Sequence, residues 1–340
     1  MSKEETQSKK KKAGRIIRRV IIIFVIANLV LALPSASFAE TLVLKSKGDH
    51  ERTVEEYTRV WLEDVTGIDS YAFEEKYQME SFLIPSTGTK NYLIPAFHYM
   101  PENEEPKGFV VMAHGMNSSH IVIYHEAEVF LLEGFEVYSF DERKFGESTF
   151  GYVGYGYLEG MDVKDVYQFA YDQAEERAFH MQEQDKNTED TSGKRYLCGI
   201  WGQSMGGAGC ENAMDEEPLV STLDFAILDC PMGPMEDLTG APKPQNWLAG
   251  KMNPLVSGFS FDQQNPIPQL KNVTADVLLL LAGDEKVIPK QSTQAIQKVL
   301  EEAPCELTVY VSDGSEHADI IVDDSAGYRN TIHDFLESIN

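Results

Sequence analysis

The chain has 340 residues, 42% hydrophobic, 10% aromatic and 25% charged, with 29 basic against 55 acidic residues and a net charge of −26. That is globular composition, which excludes a disordered chain, a collagen-like repeat and a polytopic membrane protein, and it allows one α/β domain or two small ones. A negative field repels phosphate backbones, so nucleic acid is not an expected partner.

The charge is unevenly placed. Residues 1–39 hold eight basic and two acidic groups, whereas the remaining 301 hold 21 and 53, a net of −32. Lys9 to Lys12, Arg15, Arg18 and Arg19 form a positive start. Val20 to Leu33 follows as 14 residues that are apolar except for Asn28, and Ser37 and Ala39 stand before Glu40 in an A-x-A-like arrangement. This is the pattern of a secretory signal peptide. The apolar run falls short of the roughly 20 residues that a spanning helix needs. An uncleaved membrane anchor through residues 20–33 is the alternative. Either reading places the body outside the cytoplasm, secreted or anchored.

Residues 40–76 form a charged extension, with a helix expected over Val54 to Val65. From Tyr77 the texture changes to short apolar runs alternating with helical patterns. Met79 to Ile84 and Tyr92 to Tyr99 are expected to pair antiparallel. Strands follow at Gly108 to Ala113 and Phe135 to Phe140, with a helix between them near Ile121 to Leu132. A long helix is expected over Val163 to Gln182, then a strand at Tyr196 to Trp201 and a short helix after Ser204. Phe225 to Leu228, Val277 to Leu281 and Leu307 to Val311 complete the strands. Helices are expected over Pro289 to Glu302 and Ala326 to Ile339. Strands apolar throughout are buried on both faces, and their alternation with helices gives a mostly parallel, doubly wound α/β sheet. Such sheets bind ligands beyond the carboxyl ends of their strands.

The chemistry is expected there. Gly202-Gln203-Ser204-Met205-Gly206 lies between a strand and a helix, the context in which G-x-S-x-G lifts a serine hydroxyl clear of the sheet. A serine needs a base, and the chain order serine, acid, histidine points to His317 beyond the last strand. His333 lies inside the closing helix and reads as a surface residue. The acid belongs after Val277 to Leu281, where Asp284 and Glu285 stand side by side, and only one of them can face His317. Backbone N–H groups of Met205 and Met116 are the expected oxyanion donors. His114 reads as support for the Met116 loop. Cys198, Cys210, Cys230 and Cys305 are expected to be free, buried thiols, although an even count in an exported chain also permits two disulfides, and they show no metal-ligand spacing.

Taken together these residues resemble the α/β-hydrolase superfamily, and within it the bacterial exported or membrane-anchored members related to serine aminopeptidases and lysophospholipase-like esterases. The resemblance covers roughly residues 77–340. It rests on His114-Gly115, on Asp141 to Ser148 as D-x-R-x-x-G-x-S, on the elbow around Ser204, on Tyr155 to Glu159, on Gly258 to Phe261 and on His317. It implies the α/β-hydrolase fold with a short cap over about 232–272, where Trp247, Met252 and Phe259 would form a pocket wall. Met116, Met205, Met232 and Met235 would suit an adaptable apolar pocket. The family pattern G-x-x-D-x-x-V-P is one residue short at Gly283 to Pro289: counting back from Pro289 favours Glu285, whereas chemical identity favours Asp284. Asp229 matches an acid often found in the family and reads as structural.

The implied activity is that of a serine carboxylesterase acting on a small-molecule ester. A short-peptide aminopeptidase is the second reading, and a catalytically silent surface binding module the third, motivated by the short acid loop. No metal or organic cofactor is implied.

Overall fold

The computed structural model describes residues 55–102, 105–148, 153–184, 195–239 and 242–339. The proposed leader lies outside the described residues, and no helix among them is long and apolar enough to cross a membrane.

Two helices open the described chain, α1 (Glu55–Thr66) and α2 (Ser70–Lys76). Asp69 caps α2 by accepting from the backbone N–H groups of Tyr71 and Ala72. There follow β1 (Glu80–Pro85), β2 (Leu93–Tyr99), β3 (Gly108–Ala113), α3 (Tyr124–Leu132), β4 (Phe135–Phe140), α4 (Tyr157–Gln184), β5 (Leu197–Gln203), α5 (Met205–Ala213), α6 (Leu219–Thr222), β6 (Phe225–Asp229) and α7 (Met235–Leu238). After α8 (Lys243–Ser257) come β7 (Asp276–Ala282), α9 (Lys290–Glu302), β8 (Leu307–Ser312), α10 (Ile320–Asp323) and α11 (Ser325–Ser338).

The eight strands form one sheet in the order β1-β2-β4-β3-β5-β6-β7-β8. The β1–β2 and β2–β4 pairs are antiparallel and every later pair is parallel. Every residue of β3, β4 and β6 is buried, as expected of strands covered on both faces. Their side chains alternate. Val110, Met112, Val137 and Trp201 enter one core with α3 and α11, while Phe109, Val111, Tyr138 and Ile200 enter the other with α4, α5 and α9.

The extension is not a separate layer. Leu62 and Phe73 belong to the first core, and Phe73 stacks on Tyr124 with ring centroids 4.3 Å apart. Arg59 pairs with Glu74 at 2.6 Å and ties α1 to α2. Alternating charged and apolar residues mark an amphipathic helix but do not say which surface it covers.

Thr239–Asp262, within the expected cap, divides from the main unit, to which the flanking stretches through Leu238 and from Gln263 belong. Within this unit Asn253 Nδ2 donates to the Phe259 carbonyl at 2.8 Å, closing the turn after α8.

Candidate active site

Ser204 sits between β5 and α5 at φ +53° and ψ −113°, a conformation that costs an L-residue strain. The surroundings hold it there. Its N–H donates to Asp229 O at 3.0 Å, and its carbonyl accepts from Met232 N at 2.9 Å. The flanking positions must be glycine, because a Cβ at Gly206 would lie 2.2 Å from Ala113 O and one at Gly202 2.5 Å from Gly206 O. Met205 provides the first N–H of α5, which has no partner within its own helix, and the helix dipole favours negative charge at that end.

His317 lies in the turn between β8 and α10. Its Nε2 is 2.9 Å from Ser204 Oγ and its Nδ1 is 2.6 Å from Glu285 Oε2. Ser312 and Ser315 bond through their hydroxyls at 2.7 Å, Gly283 N donates to Ser312 O, and Asp284 N donates to Ser315 O. These contacts tie the loop after β7 to the loop after β8 and fix the spacing of acid and base.

Of the two adjacent acids, the structure brings Glu285 to His317. Asp284 is exposed and serves the loop through its backbone. Glu285 Oε1 also accepts from Val287 N at 2.6 Å and Ile288 N at 2.9 Å. Burial pushes the Glu285 carboxyl up, but His317 and these two backbone donors outweigh it and hold it below the usual carboxylate range.

The loop after β3 passes beside the serine: a Cβ at Gly115 would touch Ser204 Cβ at 3.4 Å. His114 supports this loop. Its Nδ1 donates to Gly115 O at 2.7 Å and its Nε2 accepts from Glu142 N at 3.0 Å, so the ring is neutral, and burial lowers its pKa. Asp141 binds the neighbouring turn by accepting from His120 N at 2.8 Å and Glu147 N at 2.6 Å. Arg143 grips Asp162 through two bonds of 2.5 and 2.7 Å, both side chains fully buried. The D-x-R-x-x-G-x-S segment is therefore scaffold.

The remaining site predictions separate. Met116 is exposed on the loop after β3, whereas Met205 and Met235 are buried in the core, so the four methionines do not line one surface. Trp247 and Met252 lie on α8 and Phe259 in the turn after it, all within the separate 239–262 unit. All four cysteines are free, with Cys198, Cys210 and Cys230 buried.

Sequence reasoning missed a buried polar group behind the elbow. Gln203 Nε2 reaches Glu126 Oε1 and Ala318 O, each at 3.4 Å, and so links α3 to the residue after His317. Trp201 Nε1 donates to Tyr328 Oη at 3.0 Å, and that hydroxyl donates to Asp229 Oδ2 at 3.2 Å. Burial pushes the Glu126 carboxyl up to about 8 and Asp229 up to about 6. Gln203 was visible as the variable position of the motif. Nothing in the sequence singles out Glu126, one of two acids on an apolar helix.

Residues 104–268 match the model of a family described as serine aminopeptidase, S33. The uncharacterized protein YqkD of Bacillus subtilis is 22% identical over 291 residues, covering 81% of this chain and 84% of its own. The esterase Pf2001 of Pyrococcus furiosus superposes with a TM-score of 0.57 at 18% identity, over 80% of this chain and 96% of its own. An acylaminoacyl peptidase of Pyrococcus horikoshii superposes with a TM-score of 0.54 at 16% identity, over 78% of this chain and 42% of its own. The strand order, the elbow between β5 and α5 and these matches show that the chain has the α/β-hydrolase fold.

Proposed function

We propose that the chain is a serine hydrolase, an esterase working through an acyl-enzyme, and that its basic-then-apolar leader directs it outside the cytoplasm. The observation that carries the catalytic reading is the continuous hydrogen-bonded series Ser204 Oγ, His317 and Glu285, with contacts of 2.9 and 2.6 Å. Ser204 Oγ attacks the substrate carbonyl as its proton passes to His317 Nε2. Glu285 holds the tautomer with Nδ1 protonated and stabilises the imidazolium. The N–H groups of Met205 and Met116 receive the oxyanion. His317 returns the proton to the leaving alkoxide, and water, activated by the same imidazole, releases the acid.

An ester is favoured because an alkoxide departs with less help from the acid than an amine does. The matched family description and the peptidase neighbour support aminopeptidase action as the second reading. For the silent binding module, the motivating feature was the short acid loop; the 2.6 Å Glu285–His317 contact speaks against it.

A fluorophosphonate probe tests the reading. The full chain should be labelled, Ser204→Ala should not be, and its turnover should fall about 10⁶-fold. An unlabelled native protein, or equal labelling of the variant, overturns it. A panel of p-nitrophenyl esters of increasing acyl length alongside aminoacyl amides then separates esterase from peptidase.

A further inference from the structure

One cluster among the described residues combines three kinds of metal-ligating atom. Cys230, Glu285 and His317 each offer one, and the three atoms lie within 4.8 Å of one another. They come from three loops, those following β6, β7 and β8. We propose that this cluster is an inhibitory site for a thiophilic divalent cation of the zinc class, one that switches off the Ser204–His317–Glu285 series; the inhibitory part rests on the function proposed above.

The donor set is a thiol, an imidazole and a carboxylate. This suits zinc, whose bonds of about 2.0 to 2.3 Å place the ligands of a tetrahedral ion roughly 3.3 to 3.8 Å apart. The present spread brackets that spacing. Entry of the ion requires the 2.6 Å His317–Glu285 contact to open by about 1 Å, through side-chain rotation between loops whose backbones stay tied. Cys230 is almost fully buried, whereas His317 and Glu285 are part-exposed, so the ion enters from their side and leaves a fourth position for water.

The proton balance is simple. The His317 proton moves from the nitrogen that faces Glu285 to Nε2, Cys230 Sγ loses its proton to solvent, and Glu285 is already ionised. With the ion on the first nitrogen and the proton on Nε2, His317 has no lone pair left to accept the proton of Ser204. Catalysis stops while the fold stays intact. The backbone also commits Cys230 to this place: it holds φ +47°, and its N–H donates to Leu280 O at 2.9 Å.

The test uses the full chain freed of metal by chelation. Zinc should slow fluorophosphonate labelling of Ser204 about 100-fold at saturation, and chelator should restore it. Cys230→Ala should label at the native rate and require at least about 100-fold more zinc for the same effect. Cadmium added to the native chain should give a thiolate charge-transfer absorption that is lost in both Cys230→Ala and Cys230→Ser. The proposal is overturned if zinc slows the Cys230 variants as strongly as the native chain, or if the cadmium absorption persists in both. If the native chain is never labelled, the hydrolase reading fails, while the cadmium absorption still decides whether the cation site exists. Should Cys230→Ala not fold, Cys230→Ser carries the same comparison.

Discussion

Two carboxyl groups are linked to the turn that carries His317, Glu285 directly and Glu126 through Gln203, and they are built in opposite ways. Glu285 is half-buried on a loop and receives one imidazole and two backbone N–H groups. Glu126 is buried on α3 and receives one long bond from Gln203 besides its own backbone N–H. The first is held ionised and the second neutral at pH 7. A link to the His317 turn does not decide which acid is charged; the number of donors set against the cost of leaving water does. Arg143–Asp162 shows a third arrangement, in which a buried acid is matched by a cation with two bonds.

The comparison breaks most visibly at Glu285. Glu285→Gln keeps the shape but removes the charge that stabilises the imidazolium, and turnover on a p-nitrophenyl ester should fall about 10⁴-fold with the fold unchanged. A loss under tenfold would remove Glu285 from its proposed role.

Arg143→Met comes next. It leaves Asp162 buried without its cation and should cost about 3–5 kcal/mol, read as a lower urea midpoint at constant slope. No change would mean that the pair contributes specificity without stability.

Glu126→Gln tests the neutral acid. Burial raises this carboxyl from its ordinary 4.5 to about 8, so the folded state binds the proton more tightly than the unfolded chain. The associated stability is complete below about pH 4.5 and is lost as pH rises through about 8. The variant, which mimics the protonated acid, should match the native chain in acid and exceed it by on the order of 5 kcal/mol above about pH 8. Urea unfolding across that range checks it, and parallel curves would show that Glu126 is ionised throughout. The smallest effect belongs to Asp284→Asn. An exposed carboxyl whose loop role is a backbone bond should change stability by less than about 0.5 kcal/mol and leave turnover within about twofold.

Much of the fold was legible because its signals are local. β3 is apolar throughout, and β4 and β6 are so except at Glu136, Ser139 and Asp229, which is the pattern of a sheet covered on both faces. Boundaries moved by one or two residues, and α4 begins at Tyr157 rather than Val163 because the turn through Gly156 feeds directly into it. Ser204 and His317 were reachable from motif and chain order. Between Asp284 and Glu285, spacing favoured one and chemical identity the other.

By itself the sequence determined the elbow, for a steric reason. A serine held at φ +53° between two close backbone segments tolerates only glycine at Gly202 and Gly206, and that demand is written in consecutive residues. It likewise determined the doubly wound sheet, through runs of buried strand residues. Only the tertiary structure decided which acid meets His317, that Glu126 and Gln203 stand behind it, and that Cys230 joins Glu285 and His317. Those contacts join residues 32 to 115 positions apart, and no local pattern encodes a distance that three separate loops must close together.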